Sequence, residues 1–413
     1  MTNSTAASRR TRWARFLTVL GPGLVVMLAD TDAGSVITAA QSGAQWNYRL
    51  LLLQLILAPI LYVVQELTIR LGIVSRKGHG DLIHEYFGRG WAWLSVGTLI
   101  IACVGALLSE LSGLAGVGLL FGVPSWATML VVVTGLLLMA FTGSYVSVER
   151  IAMAVGAFEL VFIVVAWQAK PVFSPMLHGM VDIPWHDHQY LYLVAANIGA
   201  VIMPWMVFYQ QSAVVEKKLT VADLPAARMD TMAGAIITQV IMAAVLIATA
   251  ATLGQHGSSG SIDTVQGIAK AITPFLGENV GKILFGLGMS GAALVATIVV
   301  SLTAARTLGE LLGVKHSLEH EPREAPWFYG MYAVSLAGGG LLVASGADLV
   351  ALSVGVQVMN ALLLPVVLGF LYLLARRLPE PYRLQGSYAW VVACTIAITA
   401  GFGVYGGITG IVN

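Results

Sequence analysis

Two acidic residues, Asp30 and Asp32, stand in the middle of an apolar run, in Leu28-Ala29-Asp30-Thr31-Asp32-Ala33-Gly34-Ser35. A second apolar run is cut by a methionine and a proline, in Ala200-Val201-Ile202-Met203-Pro204-Trp205. A carboxylate in hydrocarbon is expensive, and so is backbone released from a helix, so a membrane-spanning chain keeps both only where they line a polar cavity. Gly34 tolerates backbone that a helix does not hold. The Asp32 carboxylate, the Ser35 hydroxyl and freed carbonyls are then oxygen ligands of the kind a divalent cation takes. Asp30 would point away from Asp32 in a helix but joins the same cavity if the chain is unwound. Pro204 lacks the N–H that would close the turn on Ala200, leaving that carbonyl to bind a cation. Met203 adds a thioether, a soft ligand that favours transition metals over magnesium or calcium. The plainer role of Met203, one of 15 methionines, is gap filling; its place beside a proline break sets it apart.

The elements that must position these residues follow from composition. Hydrophobic residues make up 57% of the 413, charged residues 10%, and mean hydropathy is +0.82, whereas soluble domains carry roughly 25% charged residues. The chain is therefore expected to be an all-α polytopic membrane protein with the lipid bilayer as its surroundings. A net charge of +1 without a basic face offers nothing to nucleic acid. No HExxH, phosphate-cradling Gly-Lys-Ser/Thr or GxSxG pattern suggests an enzyme or a resident cofactor, and Cys103 and Cys394 both fall in apolar runs. Apolar segments of roughly 17 to 25 residues number eleven, at about 13–43, 48–74, 91–118, 125–143, 149–168, 190–213, 231–252, 281–308, 327–345, 349–375 and 388–409. The first and sixth are the broken ones. Between 253 and 280, Val265, Ile268, Ala269, Ile272 and Phe275 recur at helical spacing and predict a short interfacial helix. With the N-terminus cytoplasmic, 18 of the 22 Lys and Arg fall on the cytoplasmic side, leaving Arg49, Lys170, Lys270 and Lys282 outside. That split satisfies the positive-inside rule and places the C-terminus externally. One transmembrane domain over 1–413 results, with a first repeat at about 13–168, a second of opposite entry at about 190–375, and an extra helix at about 388–409. Inverted repeats with discontinuous helices put a substrate site where the breaks meet.

At this point the motifs match a family. Gly21-Pro22-Gly23, the Asp32-Ala33-Gly34-Ser35 turn, and Gln65-Glu66-Leu67 through Arg70-Leu71-Gly72-Ile73-Val74 with Lys77 and Asp81-Leu82-Ile83 resemble the first two spans of the Nramp divalent-metal transporters. Leu119-Phe121-Gly122-Val123-Pro124 resembles the end of their third span, Ala200-x-x-Met203-Pro204 their sixth, and Leu364-Pro365 a pair in their tenth. The resemblance implies a LeuT-like five-plus-five inverted repeat of about eleven helices, with helices 1 and 6 broken. It also implies a metal site of Asp32, Ser35, Met203, the carbonyls of Ala29 and Ala200, and Gln357.

The departures shape the functional expectation. Where the family has Asp-Pro-Gly-Asn, this chain has Ala33 for proline and Ser35, a shorter ligand, for asparagine. The family's Met-Pro-His becomes Met203-Pro204-Trp205, and all eight histidines are predicted to lie in loops. Ala106 and Ser109 align with an Asp and a Glu associated with proton passage, with Glu110 one place off, which leaves proton coupling by that route open. These losses resemble a magnesium-transporting branch related to Nramp, although a retained methionine has little value to so hard an ion. Glu66, Glu110 and Glu159 are candidates for an ion path, each with helix-to-helix polar contact as the alternative. The expectation is a secondary transporter importing divalent metal across the cytoplasmic (inner) membrane, of the manganese and iron class with magnesium also carried. A magnesium-selective transporter, a LeuT-fold amino-acid transporter and a non-transporting metal sensor stand beside it, and the oligomeric state is not legible.

Overall fold

The structure, a computed structural model, describes residues 22–142, 154, 157–253, 264–272, 277–314, 320–346 and 348–412. Among these there is helix and no strand. The helices are α1 (Pro22–Asp30), α2 (Ala33–Trp46), α3 (Leu51–Ser75), α4 (His79–Phe87), α5 (Arg89–Leu120), α6 (Ser125–Thr142), α7 (Val161–Gln168) and α8 (Phe173–Val181). They continue as α9 (His188–Val201), α10 (Pro204–Glu216), α11 (Leu224–Thr252), α12 (Val265–Ile272), α13 (Glu278–Leu312), α14 (Pro326–Ala344), α15 (Leu349–Ala375) and α16 (Gly386–Val412). Eight helical stretches are long and apolar enough to cross a bilayer, or up to ten when each sharply bent pair counts as one span, and α6 holds a shorter apolar helix. The chain is a multi-pass membrane protein. Each of the eleven expected segments has a helical counterpart in its described part; residues 13–21 of the first, with Gly21, 143 of the fourth and the beginning of 149–168 lie outside the described residues.

The first span bends by 48° between α1 and α2, with only Thr31 and Asp32 between them. Asp32 is extended (φ −66°, ψ 171°), and its carboxylate accepts the Ser35 N–H at 2.6 Å as the cap of α2. The acid that ends one helix thus starts the next, its charge at the positive end of the new helix dipole. In the sixth span α9 stops at Val201, Met203 is extended (φ −91°, ψ 138°), and Pro204 opens α10. Proline suits that first position because its fixed φ is already helical and its missing N–H would have had no partner there.

The broken helices are the innermost elements. α2 packs on α11, α15 and α9, while α5 runs along α13 and α15. α9 meets α15 backbone to backbone, because a Cβ on Gly199 would lie 1.9 Å from the Gln357 carbonyl oxygen. That approach delivers Gln357 to the second break. Polar side chains fasten the half-helices: Asn197 on α9 donates to the Ser42 hydroxyl (2.8 Å) and accepts from Gln54 (2.6 Å). Asp230 on α11 accepts the Gly23 N–H (2.9 Å), one of the amides a helix start leaves without an internal acceptor.

Two short helices and one packing detail correct the sequence reading. α4 and α8 fall in stretches read as connections. α12 forms where expected, but Val265, Ile268 and Ala269 are buried, and Val265 lies against Gly116 of α5, so it is packed inward and is not merely interfacial. Ile272 is its last residue, and Phe275 lies outside the described residues. His79 is not in a loop: it opens α4, wholly buried. Its ring stands edge-on to Phe208 of α10 (centroids 4.8 Å apart), and Nδ1 lies 2.9 Å from Gln211 Oε1. Gln211 gives its own amide N–H to the Lys77 carbonyl (2.9 Å), so its oxygen accepts and His79 Nδ1 carries the proton.

Burial pushes the His79 imidazole down to about 4, with the Gln211 hydrogen bond opposing. In the unfolded chain the ring takes its proton near pH 6.5. Neutral His79 therefore contributes its full stability above about pH 6.5, and the contribution is lost as pH falls towards 4. His79→Phe is expected to flatten the acid limb of melting temperature against pH between those values, read on the purified protein. An unchanged limb would assign the acid sensitivity to other groups.

Candidate metal site

The breaks meet. Ser35 Oγ, on the first turn of α2, donates to the Ala200 carbonyl at 3.0 Å. That carbonyl is the one whose helical donor would have been residue 204, and Pro204 has none. It is therefore not empty, as the sequence alone suggested, but held by the hydroxyl of the opposite break. The same loss occurs in the first span by another route. A continuous helix would send the Ala33 N–H to the Ala29 carbonyl; instead it goes to Glu110 Oε2 at 2.9 Å. In both spans the carbonyl four residues before the restart has lost its ordinary donor.

Around this junction Asp32, Ser35, Met203 and Gln357 are all buried, so the site is closed to solvent. Gly34 lets Gln357 and Ser109 close on it: a Cβ there would lie 2.2 Å from Gln357 Nε2 and 2.5 Å from Ser109 Oγ. Gln357 is oriented by Asn360, which donates to Gln357 Oε1 at 2.9 Å. Met203 Sδ accepts the Trp205 indole N–H at 3.3 Å. Ser109 Oγ and both Asp30 oxygens have no hydrogen-bond partner in the protein, while Asp32 faces Glu110 and Gln357. Such a set of buried polar atoms is costly unless something else is bound among them.

Asp30 is the last residue of α1 and keeps electrostatic company with Asp32 and Glu159. Glu159 accepts a hydrogen bond from Thr31, whose hydroxyl also reaches the Leu28 carbonyl (2.9 Å). Glu110 and Glu159 are thereby brought to the first break. Glu66 is not: it lies far along α3, ion-paired with Arg70 and with Arg228 of α11 (2.7 Å) as a contact between helices. Ala106, like Ser109, is buried on α5. Among the described residues no three His, Cys, Asp or Glu side chains are grouped so as to hold a metal. The groups at the breaks are instead mixed, the carboxyls of Asp32 and Glu110 with the Ser35 hydroxyl, the Gln357 amide and backbone carbonyls.

Sequence reasoning missed Thr31, Asn360 and the contact of Trp205 with sulfur. Thr31 between two aspartates was a visible signal, while the other two depend on rotamers that no spacing reveals.

The sequence model of the family described as Nramp, natural resistance-associated macrophage protein-like, matches residues 23–409. The chain belongs to the Nramp family. Among curated relatives, the divalent metal cation transporter MntH of Ralstonia nicotianae is 28% identical over 68% of this chain and 66% of its own length. MntH of Xylella fastidiosa is 30% identical over 72% and 66%, and that of Staphylococcus haemolyticus 30% identical over 49% and 47%. The chain thus spans two thirds or less of these relatives' lengths. Among solved structures, the Eremococcus coleocola manganese transporter, in complex with an aromatic bis-isothiourea compound, aligns with a TM-score of 0.75 at 19% identity, covering 97% of this chain and 89% of that one. MhsT in complex with L-phenylalanine aligns at 0.57 and 13%, covering 94% and 98%. At these identities the structures speak for the fold, which is LeuT-like in this Nramp member as the resemblance implied.

Gly34→Ala tests the geometry. Its Cβ would meet only the ends of two side chains, so the protein is expected to fold while Gln357 is pushed from the junction. Cation affinity should fall about tenfold, equivalent to ~1.4 kcal/mol, by calorimetric titration of the purified protein with Mn2+. Unchanged affinity would remove Gln357 from the site.

Proposed function

We propose that this Nramp member is a secondary transporter that imports divalent metal ions, of the manganese and iron class with magnesium also carried, across the cell membrane. The observation that carries the reading is what occupies the amides at the restart of the first span. The Ser35 N–H is held by the Asp32 carboxylate and the Ala33 N–H by that of Glu110. In a LeuT-fold amino-acid transporter the positive ends of the half-helices face an anionic substrate group. Here carboxyl groups already occupy that end, and Glu159 adds another beside it through Thr31. The junction would repel a carboxylate and attract a cation. The names of the curated relatives, divalent metal cation transporters, point the same way.

In the proposed cycle a partly hydrated cation reaches Asp32 from outside. Ser35 turns its hydroxyl oxygen from the Ala200 carbonyl towards the ion, and Met203, Gln357 and the carbonyls of Ala29 and Ala200 complete the ligand set. Rocking of the helices about the two breaks then opens the other side. The positive-inside count supports a cytoplasmic N-terminus, which sets inward movement as passage from the Arg49 end towards the end holding Glu66, Arg70 and Arg228. Of the path candidates, Glu110 and Glu159 adjoin the cation, while Glu66 is a latch between helices at the inner end.

Uptake into proteoliposomes tests the reading. The wild-type protein is expected to accumulate Mn2+, with excess Mg2+ competing, and an internal pH dye reports whether protons accompany it. Asp32→Ala should abolish uptake while the protein still elutes as a folded species, and wild-type flux in that variant would overturn the site. Met203→Ala should weaken Mn2+ and Cd2+ more than Mg2+; equal losses would show that sulfur does not touch the ion.

A further inference from the structure

We propose that Trp205 sets the ion preference of this site by restraining the Met203 sulfur in an N–H···S hydrogen bond, making the thioether a poorer ligand for soft cations. The inference rests on the reading of Met203 as a ligand and adds a specificity-determining residue to it. Trp205 heads the largest fully buried side chains and sits on the first turn of α10, two residues beyond Met203. Its indole N–H is its single polar group, donates only, and needs a partner once buried. The partner it takes is Met203 Sδ, at 3.3 Å.

A thioether sulfur binds a cation through its lone pairs, and its value to soft ions lies in how readily they are given. Donation from the indole engages one lone pair and draws charge from the sulfur, leaving a weaker donor for the metal. The neighbouring sulfur, Met206 Sδ, receives the Met203 backbone N–H at 3.5 Å. The restraint is selective. A hard ion held by Asp32, oxygen donors and retained water loses nothing when the sulfur is weakened, whereas Cd2+ loses part of what distinguishes it. Selectivity is a difference of affinities, and Trp205 acts on one side of that difference.

Trp205→Phe keeps an aromatic ring in the cavity and deletes the donor. In calorimetric titration of the purified full chain, Cd2+ affinity is expected to rise about three- to tenfold, the range of one neutral hydrogen bond, with Mg2+ affinity unchanged. The double variant with Met203→Ala should show no such rise, because the effect runs through the sulfur. Replacing Trp205 with β-(3-benzothienyl)alanine, which keeps the bicyclic shape without the N–H, repeats the test should the phenylalanine variant lose its fold. Unchanged or weakened Cd2+ binding, or equal shifts for Cd2+ and Mg2+, would overturn the proposal. Met203→Ala alone separates the two layers. Unaltered Cd2+ affinity in that variant would remove Met203 as a ligand, whereas loss there without gain in Trp205→Phe would leave Met203 in place and reject the role of Trp205.

Discussion

The structure depends on one constraint: a helix broken at bilayer depth must have its freed backbone groups satisfied by the protein itself. Two breaks in one bundle would leave several amides and carbonyls in hydrocarbon. Side chains at the first break and on α5 satisfy them. Asp32 and Glu110 take the amides at the start of α2, and Ser35 of the first break covers the Ala200 carbonyl of the second. The junction at the centre of the bundle is therefore a consequence of hydrogen-bond accounting as much as of any ligand.

Close packing makes that accounting possible. Gly199 lets the backbones of α9 and α15 touch, and Gly34 admits the ends of Gln357 and Ser109 between α2 and its neighbours. A side chain at either position would separate the helices or displace the donors. The surroundings are held more rigidly than the junction. Asn197 ties α9 to α2 and α3 on one side, and on the other Glu66 with Arg70 and Arg228 links α3 to α11. The hydroxyl of Ser35 rotates about one bond, whereas the groups around it are carried on helices packed against one another.

Much of this arrangement was legible in the residues. A carboxylate in an apolar run and a proline in another both violate the rules of a spanning helix, and such violations mark functional positions because packing offers no reason for them. Ser35 meets the Ala200 carbonyl and Gln357 packs against Gly34, whereas the occupancy of the Ala200 carbonyl was missed because it depends on a contact 165 residues away in sequence. Glu110 looked one place out of register on α5, yet its side chain is long enough to reach the Ala33 amide. Glu66 and Glu159 carried the same sequence signal, an acid in an apolar segment, and the fold gives one to arginines and the other to the break. His79 escaped notice because a Gly-His-Gly-Asp stretch reads as a turn, while burial against Phe208 and Gln211 is purely tertiary.

The sign of the junction follows from the same constraint. LeuT-like folds with bound phenylalanine and this Nramp chain share an architecture at 13% identity, so the architecture does not decide which charge is accepted. What decides is who satisfies the amides at the restarted helix. Left unpartnered, they form an anion site, because dipole and N–H groups point the same way. Occupied by Asp32 and Glu110, they are spent, and an incoming carboxylate finds carboxyl oxygens where it would need free N–H donors. On the proposed reading, Met203 at the other break refines which cations benefit, since oxygen donors attract every divalent ion and sulfur only some of them.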